Sequence, residues 1–294
     1  MRQAGTAEDI TRKDHEHWDL IIKPSTGFFD LPLRDVWRYR DLLVLFVKRD
    51  FVAQYKQTVL GPLWHVIQPL LTTLIFLFVF GRVARLGTDG IEPILFYMSG
   101  ITIWNYFATC LTSTSNTFVN NASIFGKVYF PRLIIPLSVV VSNIVRFGIQ
   151  FCLLLAFMIA YTFRGVPLEL SVYWFFIPVI ILVMAGIGLG LGIIISSLTT
   201  KYRDLSILLG FAVQLGMYVT PIAYPLSFLQ DTKYGWLIKL NPLTSITEAF
   251  RFCLFGRGTV EPGGLLYSLL FMLAVIVFGA LIFNKVEKNF MDTV

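Results

Sequence analysis

Charge is scarce in this 294-residue chain. Asp, Glu, Lys and Arg together make up 14% of it, where an ordinary soluble domain carries about 25%. Hydrophobic residues account for 56%, and the mean hydropathy is +0.71. A soluble fold of this length could not bury that much apolar surface, so the balance excludes one and marks an integral membrane protein. Cysteine is sparse as well: Cys110, Cys152 and Cys253 are odd in number and far apart, which leaves neither a disulfide framework nor a metal spacing. Histidine occurs 3 times. His15-Glu16-His17 lacks the four-residue step of a helical zinc pair and reads as polar tail, while His65, alone at a membrane boundary, reads as interfacial packing. No metal site is expected.

Two further absences narrow the chemistry. There is no GxxxxGK[ST] loop; the single Gly-Lys pair, Gly126-Lys127, has Asn121 where the first glycine belongs, so ATP cannot be held in that way. No pair of carboxylates falls at membrane depth, which argues against an integral-membrane transferase and against a proton-coupled carrier. What the chain does have is aromatic side chains, 15% of the total, and a basic excess of 24 Lys+Arg over 18 Asp+Glu. In a soluble protein that excess would suggest nucleic acid. Here its placement follows the membrane, and no nucleic-acid partner is expected.

A helix crossing the roughly 30 Å hydrocarbon layer needs about 20 mainly apolar residues. Six stretches are expected to do so. The first runs from Leu63 to Gly81, begun by Gly61-Pro62 and expected to kink at Pro69. The others lie within Pro93 to Phe118, Leu133 to Phe163 and Val172 to Leu198, then from Leu205 to about Val219 and from Leu265 to Asn284. Lys48, Arg49, Lys56, Lys127, Arg132, Lys201, Arg203, Lys285 and Lys288 all fall on one side of that arrangement, which places both termini in the cytoplasm. The fold class is therefore an all-α integral membrane protein with six transmembrane helices. It divides into a polar tail over 1–27, an amphipathic region over 28–62 and a helical domain over 63–294. The tail lacks the apolar core and cleavage site of a secretory signal and is expected to be retained.

Before span one, Val44, Val47, Phe51, Val52, Tyr55 and Val59 recur at helical steps, with Arg49, Asp50, Gln54 and Lys56 largely opposite. That pattern describes a helix lying in the membrane interface, either a plain anchor or one whose polar face meets a cytoplasmic partner. Span two carries Thr102, Asn105, Thr109, Thr112 and Asn116 on one helical face, flanked by Tyr97 and Trp104. These groups either hydrogen-bond between helices or line a conduit. Aromatic rings beside neutral hydroxyls and amides suit a sugar. Arg146 stands deep in span three, about 14 residues or roughly 21 Å of helix beyond Arg132. It either snorkels to the interface or faces a cavity, where it could meet the phosphate of a lipid-linked substrate. In span four, Gly186/Gly190 and Gly188/Gly192 form two overlapping GxxxG pairs that read as close helix packing.

After span five, prolines and scattered charges break the pattern from Thr220-Pro221-Ile222-Ala223-Tyr224-Pro225 through Asn241-Pro242 to Glu248, Arg251 and Gly256. Two short helices dipping into the outer leaflet fit this stretch and could close an external mouth. Such backbone at membrane depth has to be buried in protein or face a watery cavity. The links at Asn120 to Arg132 and Lys201 to Asp204 could, as bare loops, be simple connectors.

Several short motifs stand together in one order: Gln54-Tyr55-Lys56-Gln57, Leu60-Gly61-Pro62-Leu63-Trp64 and Gln68-Pro69, then Lys127-Val128-Tyr129-Phe130-Pro131-Arg132 with Ile135-Pro136, Tyr202-Arg203-Asp204, and Asn241-Pro242 with Glu248 to Arg251. Over residues 28 to 294 the chain resembles ABC-2 type permeases, most of all polysaccharide exporters of the lipopolysaccharide O-antigen kind; the charged tail lies outside the likeness. The resemblance implies a homodimeric transport subunit in a bacterial inner membrane, among membrane lipids, with two copies of a separate ABC ATPase beneath it. ATP and Mg would bind that partner, this chain would hold no cofactor and perform no catalysis, and the cargo would be an undecaprenyl-diphosphate-linked glycan. It further implies a coupling helix over Asn121 to Tyr129, including Ile124, Phe125 and Lys127, with Arg132 and with Tyr202, Arg203 and Asp204 alongside. Arg49, Asp50, Tyr55 and Lys56 would belong to the interface helix, and Pro221, Tyr224, Pro225, Asn241, Pro242, Glu248 and Arg251 to the external gate. Tyr97, Thr102, Trp104, Asn105, Thr109, Thr112, Asn116 and Arg146 would line the channel. Export of teichoic acid, capsular polysaccharide or a smaller lipid is the alternative within the superfamily, and a membrane transferase the remote one.

Overall fold

The structure is a computed structural model that describes residues 33–56, 58, 60–125, 130–165, 172–199, 202, 204–230 and 235–290. Among these, all regular structure is helical. α1 (Leu33–Arg38) and α2 (Arg40–Tyr55) precede α3 (Trp64–Phe76), which Gly61-Pro62 starts through a 3-10 turn. Then come α4 (Pro93–Ser115), α5 (Thr117–Phe125), α6 (Ile134–Phe163), α7 (Ile177–Thr199) and α8 (Leu205–Val219). The short α9 (Ser227–Gln230) and α10 (Gly235–Lys239) lead to α11 (Pro242–Phe255) and α12 (Pro262–Phe290).

Five helical segments are long and apolar enough to cross a membrane: Gly61–Val83, Pro93–Ser115, Ile134–Phe163, Val172–Thr199 and Pro262–Phe283. These lie close to five of the expected spans. The expected fifth span, α8, has 15 residues. At 1.5 Å per residue it rises about 22 Å, short of the roughly 30 Å layer. Charged Asp204 bounds it in front, and Thr220-Pro221 turns the chain behind it. α3 runs through Pro69 without a break, and the departure from α geometry comes later, in a π-helical turn at Leu77–Val83.

α4 is the central helix. Most of it is buried, against α7 on one side and α6 on the other, whereas much of α3, α6 and α12 shows apolar side chains outward, as a lipid-facing surface does. The two glycine pairs of α7 divide between its neighbours. A Cβ on Gly186 or Gly190 would strike Met272 or Val275 of α12; one on Gly188 or Gly192 would strike Cys110 or Thr114 of α4. α7 is thus the slab on which both partners seat their backbones. A second, smaller apolar cluster gathers Phe46, Phe118, Phe130, Ile134, Ile193 and Phe283, joining α2 and α5 to one end of α6, α7 and α12.

Candidate functional site

A polar cavity of about 220 Å³ lies between α3, α4 and α6. His65 and Gln68 come from α3, Asn105, Tyr106 and Thr109 from α4, and Asn143, Arg146, Phe147 and Gln150 from α6. Asn143, Arg146 and Gln150 follow one another at steps of three and four, so α6 presents a polar stripe that mirrors the one on α4. Asn143 and Gln150 were missed in the sequence, although their three- and four-residue steps around Arg146 would have marked them. Asn105 donates to Gln150 Oε1 across the cavity at 3.3 Å. Arg146 donates from Nε and Nη2 to Oε1 of Gln54, at 2.8 and 2.5 Å, and Gln54 Nε2 meets His65 Nε2 at 2.8 Å. The end of α2 is thereby fastened to α3 and α6. Beside it Tyr55 packs edge-on to His65, and burial pushes its hydroxyl above the ordinary value while the Arg146 charge pulls the other way. Tyr55 therefore stays protonated at neutral pH.

The rest of the α4 stripe bonds to its own helix. Thr109 donates to the Asn105 carbonyl at 2.6 Å, Thr112 to Ala108 at 2.7 Å and Asn116 to Thr112 at 2.9 Å, the usual outlet for hydroxyls and amides on a helix in hydrocarbon. Thr102 is buried. Trp104, next to Asn105 in sequence, points away from the polar cavity because neighbours on a helix are about 100° apart. It lines instead a cavity of about 400 Å³ between α4 and α8, with Leu209, Val213, Thr220 and Asn241. Tyr97 is fully buried, edge-on to Phe76 and Phe96. The two rings and the polar cavity therefore do not share a wall.

The two ends of the broken stretch after α8, residues 220–226 and α11, fold back into the bundle and are largely buried, as their polar backbone requires, while Phe228, Trp236, Leu237 and Leu240 between them are exposed. Arg251 organises the two ends. Its Nη1 donates to Pro221 O at 2.6 Å and to Glu248 Oε1 at 2.9 Å, and its Nη2 donates to Ile222 O at 3.0 Å. The guanidinium stacks on Phe96 of α4, 3.7 Å from the ring centroid. Gly100 makes room for it, since a Cβ there would lie 2.8 Å from Arg251 Nη2. Asn241 caps α11 by accepting from Leu243 N at 3.0 Å and reaches back to Thr220 Oγ1 at 2.9 Å, with Pro242 in the first turn. Gly256 ends α11 at φ +65°, the left-handed stop that glycine takes without strain. Tyr224 OH donates to the carbonyls of Tyr218 and Val219 at the end of α8. Pro225 accepts from Phe228 N at the start of α9. Asn241→Ala removes both the cap and the Thr220 tie, and a loss of about 1 kcal/mol is expected, read as a lower thermal midpoint of the purified chain.

At the other end, α5 bends at Asn121, whose φ of −117° leaves the helical range. Asn121 is buried and accepts from Arg49 Nη2 at 3.4 Å. Phe118 stacks on Phe283 with centroids 4.6 Å apart, and Ile124 packs on the smaller apolar cluster. The side chain of Phe125 and residues Lys127, Tyr129 and Arg203 lie outside the described residues, as does the tail over 1–27. Arg132 is half-buried, while Tyr202 and Asp204 are exposed. On α2, Arg49 pairs with Asp50 at 2.7 Å, and Lys56 is exposed. Val44, Phe51 and Val52 face outward while Arg49 and Gln54 turn toward the bundle, the inverse of a helix on a soluble core.

A family profile described as ABC-2 type transporter matches residues 41–255. Two relatives from Klebsiella pneumoniae, each named O-antigen export system permease protein RfbA, are 34% identical over 255 residues, which is 86% of this chain and 94% of theirs. A protein of the same name from Myxococcus xanthus is 28% identical over 220 residues, 74% of this chain and 82% of its own. With helices fit to cross a bilayer and a profile match over most of its length, this multi-pass membrane chain belongs to the ABC-2 type transporter family.

Proposed function

We propose that this chain is the permease subunit of an ABC transporter that exports a lipid-linked polysaccharide of the O-antigen kind across a bacterial inner membrane. The observation that carries the reading is similarity over nearly the full length of proteins named for O-antigen export. In this reading two copies form the channel, and two ABC ATPase subunits, which bind ATP and Mg, dock against α5 and the Tyr202–Asp204 link. The apolar outward face of α2 lies in the cytoplasmic membrane interface, and both termini are cytoplasmic. α8 and the turn after it complete a sixth crossing, because the buried segment from Thr220 supplies the depth that 15 residues lack. Glycan passes neutral and aromatic side chains, with Asn105 and Thr109 on one side of α4 and Trp104 on the other, while α9 to α11 close the external mouth. A sliding polymer is served by many weak, similar contacts, which such walls supply. ATP binding and hydrolysis in the partner shift the channel between closed and open populations through α5.

Co-purification of the chain with its ATPase, reconstitution and measurement of glycan movement test this. Wild-type complex is expected to export glycan only with ATP. Trp104→Ala combined with Asn105→Ala is expected to cut the rate about tenfold or more while the ATPase still binds, since two wall contacts worth about 1 kcal/mol each are lost. Undiminished export by that variant overturns the wall assignment, and failure of any ATPase to co-purify overturns the subunit assignment.

A further inference from the structure

Arg146 belongs to the α6 span but reaches the end of the interface helix, and its bonded partner there is neutral. Two of its N–H groups converge on one oxygen, Oε1 of Gln54. The same pair of donors can grip two oxygens of an oxyanion side by side, yet here they share the single oxygen of an amide. Among the described residues no carboxylate forms an ion pair with Arg146; Asp50 on α2 is committed to Arg49 at 2.7 Å. Besides Arg146, the cavity is lined by His65, Gln68, Asn105, Tyr106, Thr109, Asn143 and Gln150, all able to donate hydrogen bonds, and by Phe147, and none of these is acidic. A charge kept in a polar cavity, with the nearest acidic influence, Asp50, already paired to Arg49, leaves room for an anion to complete it.

We propose that this cavity is an oxyanion site for a phosphate or diphosphate group, and that Gln54 is an internal stand-in which the anion displaces. The site deepens the transport reading, on which it rests for the source of the anion: the headgroup that joins a glycan to its lipid. Gln54 is the penultimate residue of α2 and also holds His65 of α3. Its displacement removes the polar tie of the last turn of α2 to α3 and α6, while Phe46 stays packed on the start of α6, so occupancy of the site reaches the end of the interface helix directly. A change at a substrate headgroup thus becomes a change in how the helix beneath the bundle is held.

The test is anion binding to the full-length chain in an uncharged maltoside detergent, followed by calorimetric titration with inorganic phosphate, inorganic pyrophosphate, farnesyl diphosphate and, as the uncharged control, farnesol. Farnesyl diphosphate is expected to bind and farnesol not to. Gln54→Ala removes the competitor and is expected to tighten binding several-fold. Gln54→Glu installs a permanent carboxylate on the guanidinium and is expected to weaken it about tenfold or more. Arg146→Gln is expected to abolish it; should that variant not fold, the opposed responses of the two Gln54 variants carry the test. Equal affinities in wild type and both Gln54 variants, or no anion bound at all, overturn the site. Phosphate or pyrophosphate binding with the same Gln54 dependence upholds it and identifies a free anion as the ligand, whereas a requirement for the farnesyl chain upholds it and identifies a lipid headgroup. Loss of ATP-driven glycan export in the complex would count against the transport reading and leave these affinities as they are, so the two can fail separately.

Discussion

Arg251→Ala is expected to destabilise the chain by about 3–5 kcal/mol, the usual result of stripping one partner from a buried ion pair. Arg251 and Glu248 expose only 1% and 2% of their side chains. Removing the arginine leaves a buried carboxylate without its cation and two carbonyls, Pro221 O and Ile222 O, without their donor. It also empties the space over Phe96 that Gly100 keeps open. Thermal unfolding of the detergent-solubilised chain, followed by tryptophan fluorescence, should show a large drop in midpoint. The double variant Glu248→Gln with Arg251→Met removes both charges and keeps most of the volume, so it should lose less than Arg251→Ala alone. A single variant that melts with wild type would show that the pair is hydrated rather than buried. In the proposed transporter the same substitution releases the turn after α8 from α4 and α11, and the expected accompaniment is leakage through vesicles that wild-type complex keeps sealed.

Gly190→Leu is expected to prevent the chain from accumulating as a folded protein. Even a single Cβ at Gly190 would lie 2.8 Å from the Val275 carbonyl carbon and 2.9 Å from Ile276 N, both backbone atoms of α12 that cannot swing aside. Gly190→Ala should therefore cost about 1–3 kcal/mol by overpacking, and a leucine forces α12 off α7 altogether. Gly210 on α8 is the control, because a Cβ there meets nothing within 4 Å. Gly210→Ala should be neutral or raise stability by up to about 1 kcal/mol through helix propensity. Monodispersity on size exclusion and thermal midpoint measure both. Equal behaviour of Gly190→Ala and Gly210→Ala would refute the close α7–α12 contact.

The helices were legible because their signals are local. A bilayer asks only for an apolar run of sufficient length, so five spans could be read directly from charge spacing, and Gly61-Pro62 marked a helix start; Pro242, read as a break, sits in the first turn of α11. α8 shows the limit of the same reasoning: its apolar run is sound, but 15 residues fall short of a crossing, and completing that depth depends on how the following turn folds. The α4 stripe was visible at its three- and four-residue steps. Its use was not, because Thr109, Thr112 and Asn116 bond to their own helix and only Asn105 reaches across to α6. Trp104 and Asn105 are adjacent in sequence and face different cavities.

Composition and periodicity thus settled that this is a helical membrane protein, where most of its helices begin and end, and that α7 carries two small-residue seams. They could not pair Gln54 with Arg146, 92 residues away, or assign one glycine seam to α4 and the other to α12. Nor could they bring Arg251 onto the carbonyls of Pro221 and Ile222. Secondary structure answers to each residue's neighbours in the chain and to the solvent around it, both of which can be read along a line. The partner of a buried polar group is whatever donor or acceptor packing leaves within about 3 Å, and only the assembled bundle fixes that distance.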